Sequence, residues 1–272
     1  MGQPKNLITP SMVTLLRADF EANLYGHQKR WAEASWRRSR MIVEARQIGA
    51  TWYFARERFL AALETGKDQI FIVRSHTDRK ILLGIIRSWV ARLFGFGLHD
   101  SFGEVTVARG KDDAGAQLPP VSITFREGIK WHPVGYHGDV IVQDFFWMDD
   151  FATVFKWAEA LAWQSRFTMT FYSAINDRDQ NHEARPIWTG AACNLEFLGK
   201  ALPFDTPRNW LRDGYSDVDG FWRQIVTIED AEAGGFDLVD KEALREAYSP
   251  EEFDALFMCK FSDEVSEGQR HV

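Results

Sequence analysis

The 272-residue sequence predicts an α/β fold, a mostly parallel β-sheet covered by helices on both faces. Three observations carry this expectation. Short apolar runs recur along the chain: RMIV (40–43), QIFIV (69–73), DVIVQ (139–143) and TMTFYS (168–173). They are near-continuously hydrophobic, as strands buried on both faces are. Between them lie longer stretches with helical spacing of apolar residues, and strand–helix alternation is the signature of parallel strands joined by crossover helices.

Taken in order, residues 10–36 read as helical, with Leu15, Leu16, Phe20, Leu24 and Trp31 near helical spacing. The strand 40–43 runs into the turn ARQIGAT and then the helix TWYFARERFLAALETG, which Gly66 stops as glycines commonly stop helices. After the strand 69–73, RKILLGIIRSWVARLFGFGL forms an amphipathic helix with Ile81, Ile85, Trp89 and Leu93 as one stripe. SITFREGIKWHPV (122–134) reads as a hairpin turning at Glu127-Gly128. DVIVQDFFW (139–147) reads as a buried strand that ends in an acid, followed by a helix to about Gln164 and the strand 168–174. Beyond Gly190 the pattern becomes irregular, with short helices in an acidic context.

Composition narrows the function classes. Apolar residues make up 45% and charged residues 26%, the balance of a globular chain. No apolar run approaches the roughly 18–20 residues that span a bilayer, so no membrane partner is expected. The start MGQPKNLITPSM lacks a signal peptide's apolar stretch, and Asn6 stands where a myristoylation signal wants Ser or Thr. Cys193 and Cys259 are far apart and in no metal spacing, which fits reduced thiols in a cytosolic compartment. A net charge of −7 argues against coating nucleic acid by bulk electrostatics. The charge is nonetheless uneven. Eight basic residues stand against three acidic ones from Lys29 to Arg58, and fifteen acidic against four basic from Asp217 to Glu267. Solvated helix faces would explain both; a nucleotide- or nucleic-acid-facing basic end is the sharper reading.

The turn carries the chemistry. Set against the phosphate-loop pattern G-x-x-x-x-G-K-[ST], residues 44–51 read E-x-x-x-x-G-A-T. Such a loop needs backbone N–H groups around phosphate, a cation on the terminal oxygens and a hydroxyl on Mg²⁺. Gly49 supplies the turn, Thr51 the hydroxyl and Arg46 the nearest cation, with Arg40 and Lys29 next in sequence. Taken alone, a Gly-Ala-Thr at a strand–helix junction is also ordinary turn and N-cap chemistry. Other constellations are weaker. His132 and His137 lack a third ligand, and Ser173 with His182 lacks a nucleophile elbow.

Three further segments fall in a telling order: LYGHQKRW (24–31), YHGDVIVQDFFWM (136–148) and TFYSAINDRDQNHEARPIWTG (170–190). Together with the loop they resemble the ATPase domain of the large terminase subunits of tailed phages, especially the myovirus-type ATPase subunit. The resemblance covers nearly the whole chain and is carried by ARQIGATW, YHGDVIVQDFFW, NHEARPIWTG and LFMCKF. It implies a P-loop NTPase-like fold and ATP-driven packaging of double-stranded DNA into a preformed capsid in the host cytoplasm. ATP and Mg²⁺ are the implied cofactors, the portal and the small terminase subunit the implied partners, and a ring of copies the implied assembly. The implied layout is an N-terminal helical segment with an adenine-side motif (1–36), an ATPase core (37–200) and an acidic C-terminal extension of the same domain (201–272). In the family a nuclease domain follows a segment like LFMCKFSDEV, so the motor without the nuclease is expected here.

By the same resemblance Gln28, Glu44, Ala45, Arg46, Gln47, Ile48, Gly49, Ala50 and Thr51 are the nucleotide-binding positions. Asp144, Gln143 and Arg46 are the catalytic ones, Thr51 and Asp144 hold the metal, and Ser173 and Asn176 couple hydrolysis to movement. Two charges depart from the family pattern. Glu44 replaces a lysine, and at about 4 Å with an effective dielectric near 20 each like-charge pair costs roughly 4 kcal/mol before screening. Gln143-Asp144 replaces Asp-Glu, which removes one metal-directing charge and shortens the water-orienting acid by a methylene. The resemblance therefore implies a motor with a degenerate site. The alternative is an inactive scaffold or pseudo-ATPase that binds nucleotide, DNA or a portal partner.

Overall fold

The structure, a computed structural model, describes residues 6–128, 133–176, 183–191, 208–217 and 219–261. Its eight strands form one mostly parallel sheet with helices packed on it. The chain divides into two compact units, each assembled from segments distant in sequence.

The first unit comprises the described parts of Met1–Leu24, Thr51–Gln143 and Trp157–Thr168. Its strands run in the order β3 (Glu104–Val107), β4 (Val121–Glu127), β2 (Gln69–Val73), β5 (Asp139–Gln143). β2 pairs in parallel with both β4 and β5, and every residue of β2 and β5 is buried. Helix α1 (Pro10–Ala22) starts on an N-cap at Thr9, helix α3 spans Ala50–Thr65, and α4 (His76–Phe94) is capped by Ser75 and closed by left-handed Gly95. Phe20 of α1 packs against Tyr53 and Trp89. Asp19 beside it accepts hydrogen bonds from Trp89 Nε1 at 2.7 Å and Arg92 Nη2 at 2.6 Å. The strand β5 begins where Gly138 passes the preceding strand's entry. A Cβ there would lie 2.5 Å from the Asp68 carbonyl oxygen, a distance no side chain tolerates.

The second unit comprises the described parts of Tyr25–Ala50, Asp144–Lys156 and Met169–Val272. Its strands run β6 (Met169–Ser173), β1 (Ser39–Glu44), β8 (Trp222–Val226), β7 (Tyr215–Ser216). β1 is parallel to β6 on one side and to β8 on the other, so the strand leading into the loop is central and almost wholly buried. Helix α2 (Gly26–Glu33) packs near α8 (Ile228–Ala233), where the Gly26 N–H donates to the Gly234 carbonyl at 2.8 Å. Short helices α6 (Ala184–Trp188), α7 (Arg208–Asp213), α9 (Lys241–Ala247) and α10 (Pro250–Leu256) belong to this unit, while α5 (Phe151–Leu161) links segments of both.

The four expected strands are present and parallel to their neighbours, but several details differ. The helix expected over 10–36 is two helices, broken at Tyr25, which becomes the N-cap position of α2. The α4 stripe is rotated: Leu82, Ile86, Trp89 and Val90 are buried, and Ile81 is 50% exposed. The second arm of the hairpin expected at Glu127-Gly128 begins in residues 129–132, which lie outside the described residues; β4 itself pairs with β3 on one edge and β2 on the other. The acid-ended strand stops at Gln143, and Phe145–Trp147 form a 3-10 turn instead. The region beyond Gly190 also contributes sheet. β8 went unrecognised because WRQIV carries Arg and Gln in its middle, both fully buried.

Candidate nucleotide site

The loop between β1 and α3 is built for a strand-to-helix reversal. Gln47 has φ of 66° and Gly49 of 84°, so two left-handed residues turn the chain within three positions. Only glycine adopts that conformation without strain, and a Cβ on Gly49 would also meet the Gln28 amide nitrogen at 3.0 Å. The first loop amides are tied to the unit's own framework: Ala45 N–H donates to the Val226 carbonyl at 2.8 Å and Arg46 N–H to the Leu256 carbonyl at 2.9 Å. The N–H groups of Gln47, Ile48 and Gly49 have no partner among the described residues. Successive amides in such a turn make a concavity for an anion.

Two neighbouring side chains of α2 hold carbonyls at the end of the loop, those of the Ile48–Gly49 and Gly49–Ala50 peptides. His27 Nε2 lies 3.0 Å from the Ile48 carbonyl, and Gln28 Nε2 donates to the Gly49 carbonyl at 3.5 Å. A carbonyl only accepts, so His27 carries its proton on Nε2 and its buried Nδ1 is bare. Burial pulls the imidazole down to about 4, which keeps it in that neutral form. Gln28 also accepts from the Tyr25 N–H at 3.2 Å and is 1% exposed, so here its amide supports the loop; an adenine contact is no more than an expectation. His27 was not singled out from sequence, since a histidine before a family-like glutamine gives no signal of its own.

The charged residues are less accommodating. Glu44, last in β1, is 7% exposed. Burial first, and then the Asp144 carboxylate, hold its carboxyl well above the usual 4.5, against a weaker pull from Arg46. Asp144 is half-buried in a left-handed conformation (φ 56°, ψ 44°) at the head of the 3-10 turn, its N–H donating to the Tyr172 carbonyl at 2.8 Å. Ser173 is fully buried. Its hydroxyl donates to the Ala174 carbonyl at 2.7 Å and accepts from the Phe146 N–H at 3.2 Å, fastening the turn after Asp144 to the end of β6. Asn176 follows, half-buried, three residues on. Arg46 and Gln47 are exposed; the Arg46 guanidinium lies 4.5 Å from the Trp147 ring centroid. Arg40, a sequence candidate for completing the site, is spent elsewhere: it is fully buried, donating to the Trp31 carbonyl at 2.9 Å and Thr170 Oγ1 at 3.1 Å. Thr51, in the first turn of α3, and the buried Gln143, last in β5, belong to the first unit. His132 and His182 lie outside the described residues. Among the described residues no group of three or more His, Cys, Asp or Glu could hold a metal ion.

Glu44 yields a pH prediction. A carboxyl whose folded pKa is raised favours the protonated fold, so its contribution is intact below about 4.5 and is lost as pH rises through the raised value. Glu44→Gln removes that loss. The variant's melting temperature should exceed the parent's, and the gap should widen as pH rises from about 4.5. Parallel melts at stepped pH test this; a gap that stays flat or reverses would show a Glu44 carboxylate ionised at no cost.

A family model described as the terminase large subunit, T4likevirus-type, N-terminal part matches residues 41–269. The chain belongs to this terminase family. It is 34% identical over 263 residues to the terminase ATPase subunit of Escherichia phage P2, covering 96% of this chain and 42% of that protein. To the probable terminase ATPase subunit of Haemophilus phage HP1 it is 29% identical over 260 residues, covering 95% and 40%. The chain thus spans about two-fifths of the length of these relatives. Among solved structures, the large terminase ATPase domain of Thermus phage P74-26 superposes with a TM-score of 0.61 at 11% identity, covering 89% of this chain and 96% of that one. The large terminase from a thermophilic bacteriophage, in complex with ADP, gives 0.59 at 10% identity, covering 86% and 53%. These structural likenesses establish a large-terminase ATPase fold, P-loop-like and mostly parallel.

Proposed function

We propose that this chain is the ATPase motor domain of a terminase large subunit, acting with a degenerate site to package viral double-stranded DNA into the capsid. Family membership supports the lineage, and the three open amides of Gln47–Gly49 at the strand-to-helix reversal carry the reading. Those amides and the Arg46 guanidinium fit a phosphate chain; the charges at Glu44 and Gln143 fit it poorly. Bound Mg²⁺·ATP would supply the scissile anhydride and a divalent charge. Gln47, Ile48 and Gly49 would bind phosphate oxygens through their N–H groups, with His27 holding the Ile48–Gly49 peptide and Gln28 the one after it. The resemblance assigns the metal to Thr51 and Asp144, one or two protein oxygens with phosphate sufficing for Mg²⁺. Asp144 would also orient the attacking water. Ser173 ties the turn after Asp144 to β6, which supports Ser173, with Asn176, as the residues that would couple hydrolysis to movement. The portal, the small terminase subunit, a ring of copies and the host cytoplasm are part of this proposal. Among the described residues no helix is long and apolar enough to cross a membrane.

The second reading, a nucleotide-binding scaffold without turnover, is favoured by one observation: a buried Glu44 facing Asp144 lowers the site's attraction for both phosphate and metal. Calorimetric titration with ATP, with and without Mg²⁺, beside a phosphate-release assay separates them. The expected result is a Kd weaker than about 10 µM and turnover well below ~1 s⁻¹, the low end of ordinary enzymes. Low-micromolar binding with brisk turnover would overturn the degenerate site, and no binding at all would overturn both readings.

A further inference from the structure

The 3-10 turn Phe145–Trp147 is fastened at every residue but one. Trp147 N–H donates to the Asp144 carbonyl at 2.8 Å, Phe146 N–H to Ser173 Oγ at 3.2 Å, and the indole Nε1 to the Ala174 carbonyl at 3.0 Å. The half-buried indole is therefore set by hydrogen bonds at both its backbone and its ring edge. Over that ring sits the guanidinium of Arg46, 4.5 Å from the centroid. A stacked guanidinium is held by its flat face, while its N–H donors lie in its plane and point outward. No hydrogen bond from the Arg46 guanidinium is found among the described residues. A ring contact through a flat face leaves the in-plane N–H donors for an oxyanion.

We propose that Trp147 is a positioning residue, a fixed platform that presents Arg46 to the phosphate group bound on the amides of Gln47–Gly49. The proposal rests on the nucleotide reading above. An exposed arginine free to sample its rotamers would have to be immobilised at binding; one already stacked arrives with its donors open. The platform sits on the turn that begins at Asp144 and is pinned to Ser173 and Ala174. The ring under Arg46 and Ser173 therefore lie on one hydrogen-bonded turn.

The test is a double-mutant cycle on the full chain, titrating Mg²⁺·ATPγS and, separately, inorganic tripolyphosphate. Trp147→Leu should weaken binding about 3–10-fold, the range of a partly exposed cation–π contact. Trp147→Phe keeps a face but not the Nε1 donor and should stay within about 2-fold of the parent. Trp147→Leu in an Arg46→Ala background should cost nothing further. Additive losses, or a Trp147→Phe loss equal to that of Trp147→Leu, would overturn the proposal and leave the nucleotide reading standing. Binding of tripolyphosphate without ATPγS would sink the nucleotide reading, and the cycle on tripolyphosphate would still decide the platform. Binding of neither would overturn both. A ligand-free readout guards against a Trp147→Leu chain that fails to fold. Arg46→Ala should shift the tryptophan emission of the parent but not of the Trp147→Phe variant; a shift that persists would show the stack is not formed.

Discussion

ATP turnover should rise at least ~100-fold when Glu44→Lys, Gln143→Asp and Asp144→Glu are combined. On the proposed reading the site has its backbone but lacks charge, and each preorganised charge at a phosphoryl-transfer centre contributes roughly 10²–10³ in rate. Glu44 is the most damaging of the three. It is buried, and its ionised form repels Asp144, so a lysine there would replace that carboxyl with a cation the Asp144 carboxylate attracts. On the same reading Gln143→Asp would add a metal-directing charge and Asp144→Glu a methylene of reach, where a displacement of about an ångström can cost 10²-fold. The single Glu44→Lys variant should gain affinity more than rate, and the pair at 143–144 alone should gain little. Phosphate release by the purified variants measures this. A folded triple variant that turns over no faster than the parent would show the site is inactive for reasons outside these three charges.

The largest stability effect should come from Arg223. Its side chain is 1% exposed and those of Asp217 and Asp219 are each 6% exposed. Nε donates to the Trp188 carbonyl at 2.6 Å, Nη1 to Asp219 at 2.8 Å and Asp217 at 3.4 Å, and Nη2 to the Ile187 carbonyl at 3.1 Å and again to Asp219. Arg223→Met would leave two buried carboxylates and two carbonyls without this partner, a change that typically costs about 3–5 kcal/mol. For a chain of this size that is a fall in Tm of roughly 6–20 °C. Adding Asp217→Asn and Asp219→Asn to Arg223→Met removes the uncompensated charge while keeping an acceptor for the Phe221 N–H, and should recover at least half of the loss. Thermal melts of the two variants decide it. A fall below about 2 °C for Arg223→Met alone would mean that the carboxylates are reached by water.

What could be read from the sequence follows from the range of the interactions involved. Strands β1, β2, β5 and β6 were legible because burial on both faces demands continuous apolar runs. The loop's position was legible because Gly49 marks the reversal locally. β8 was hidden, since its middle is Arg223-Gln224 and its burial depends on carboxylates and helix-end carbonyls brought in by folding. The basic cluster from Lys29 to Arg58 read partly as a ligand-facing surface, yet Arg40, Arg56 and Arg58 are buried and bonded within their own units. The behaviour of Glu44 and of Trp147 was beyond local pattern altogether. Each depends on a partner about 100 positions away, Asp144 for the one and Arg46 for the other.

The bonds that secure the start of the loop set a timetable for the ribosome. Ala45 and Arg46 are made early, but the carbonyls that hold their amides belong to Val226 and Leu256, roughly 200 residues later. Strand β1 itself waits for β8 to supply its second edge. At ordinary elongation rates of ~5–20 residues per second the growing chain carries an unfinished loop for about 10–40 s. During that interval strand 39–44 has an open edge, which a chaperone that shields extended segments could cover. Nascent chains stalled before residue 222 should accordingly be cleaved by protease in the 39–49 region, and chains released after residue 261 should not.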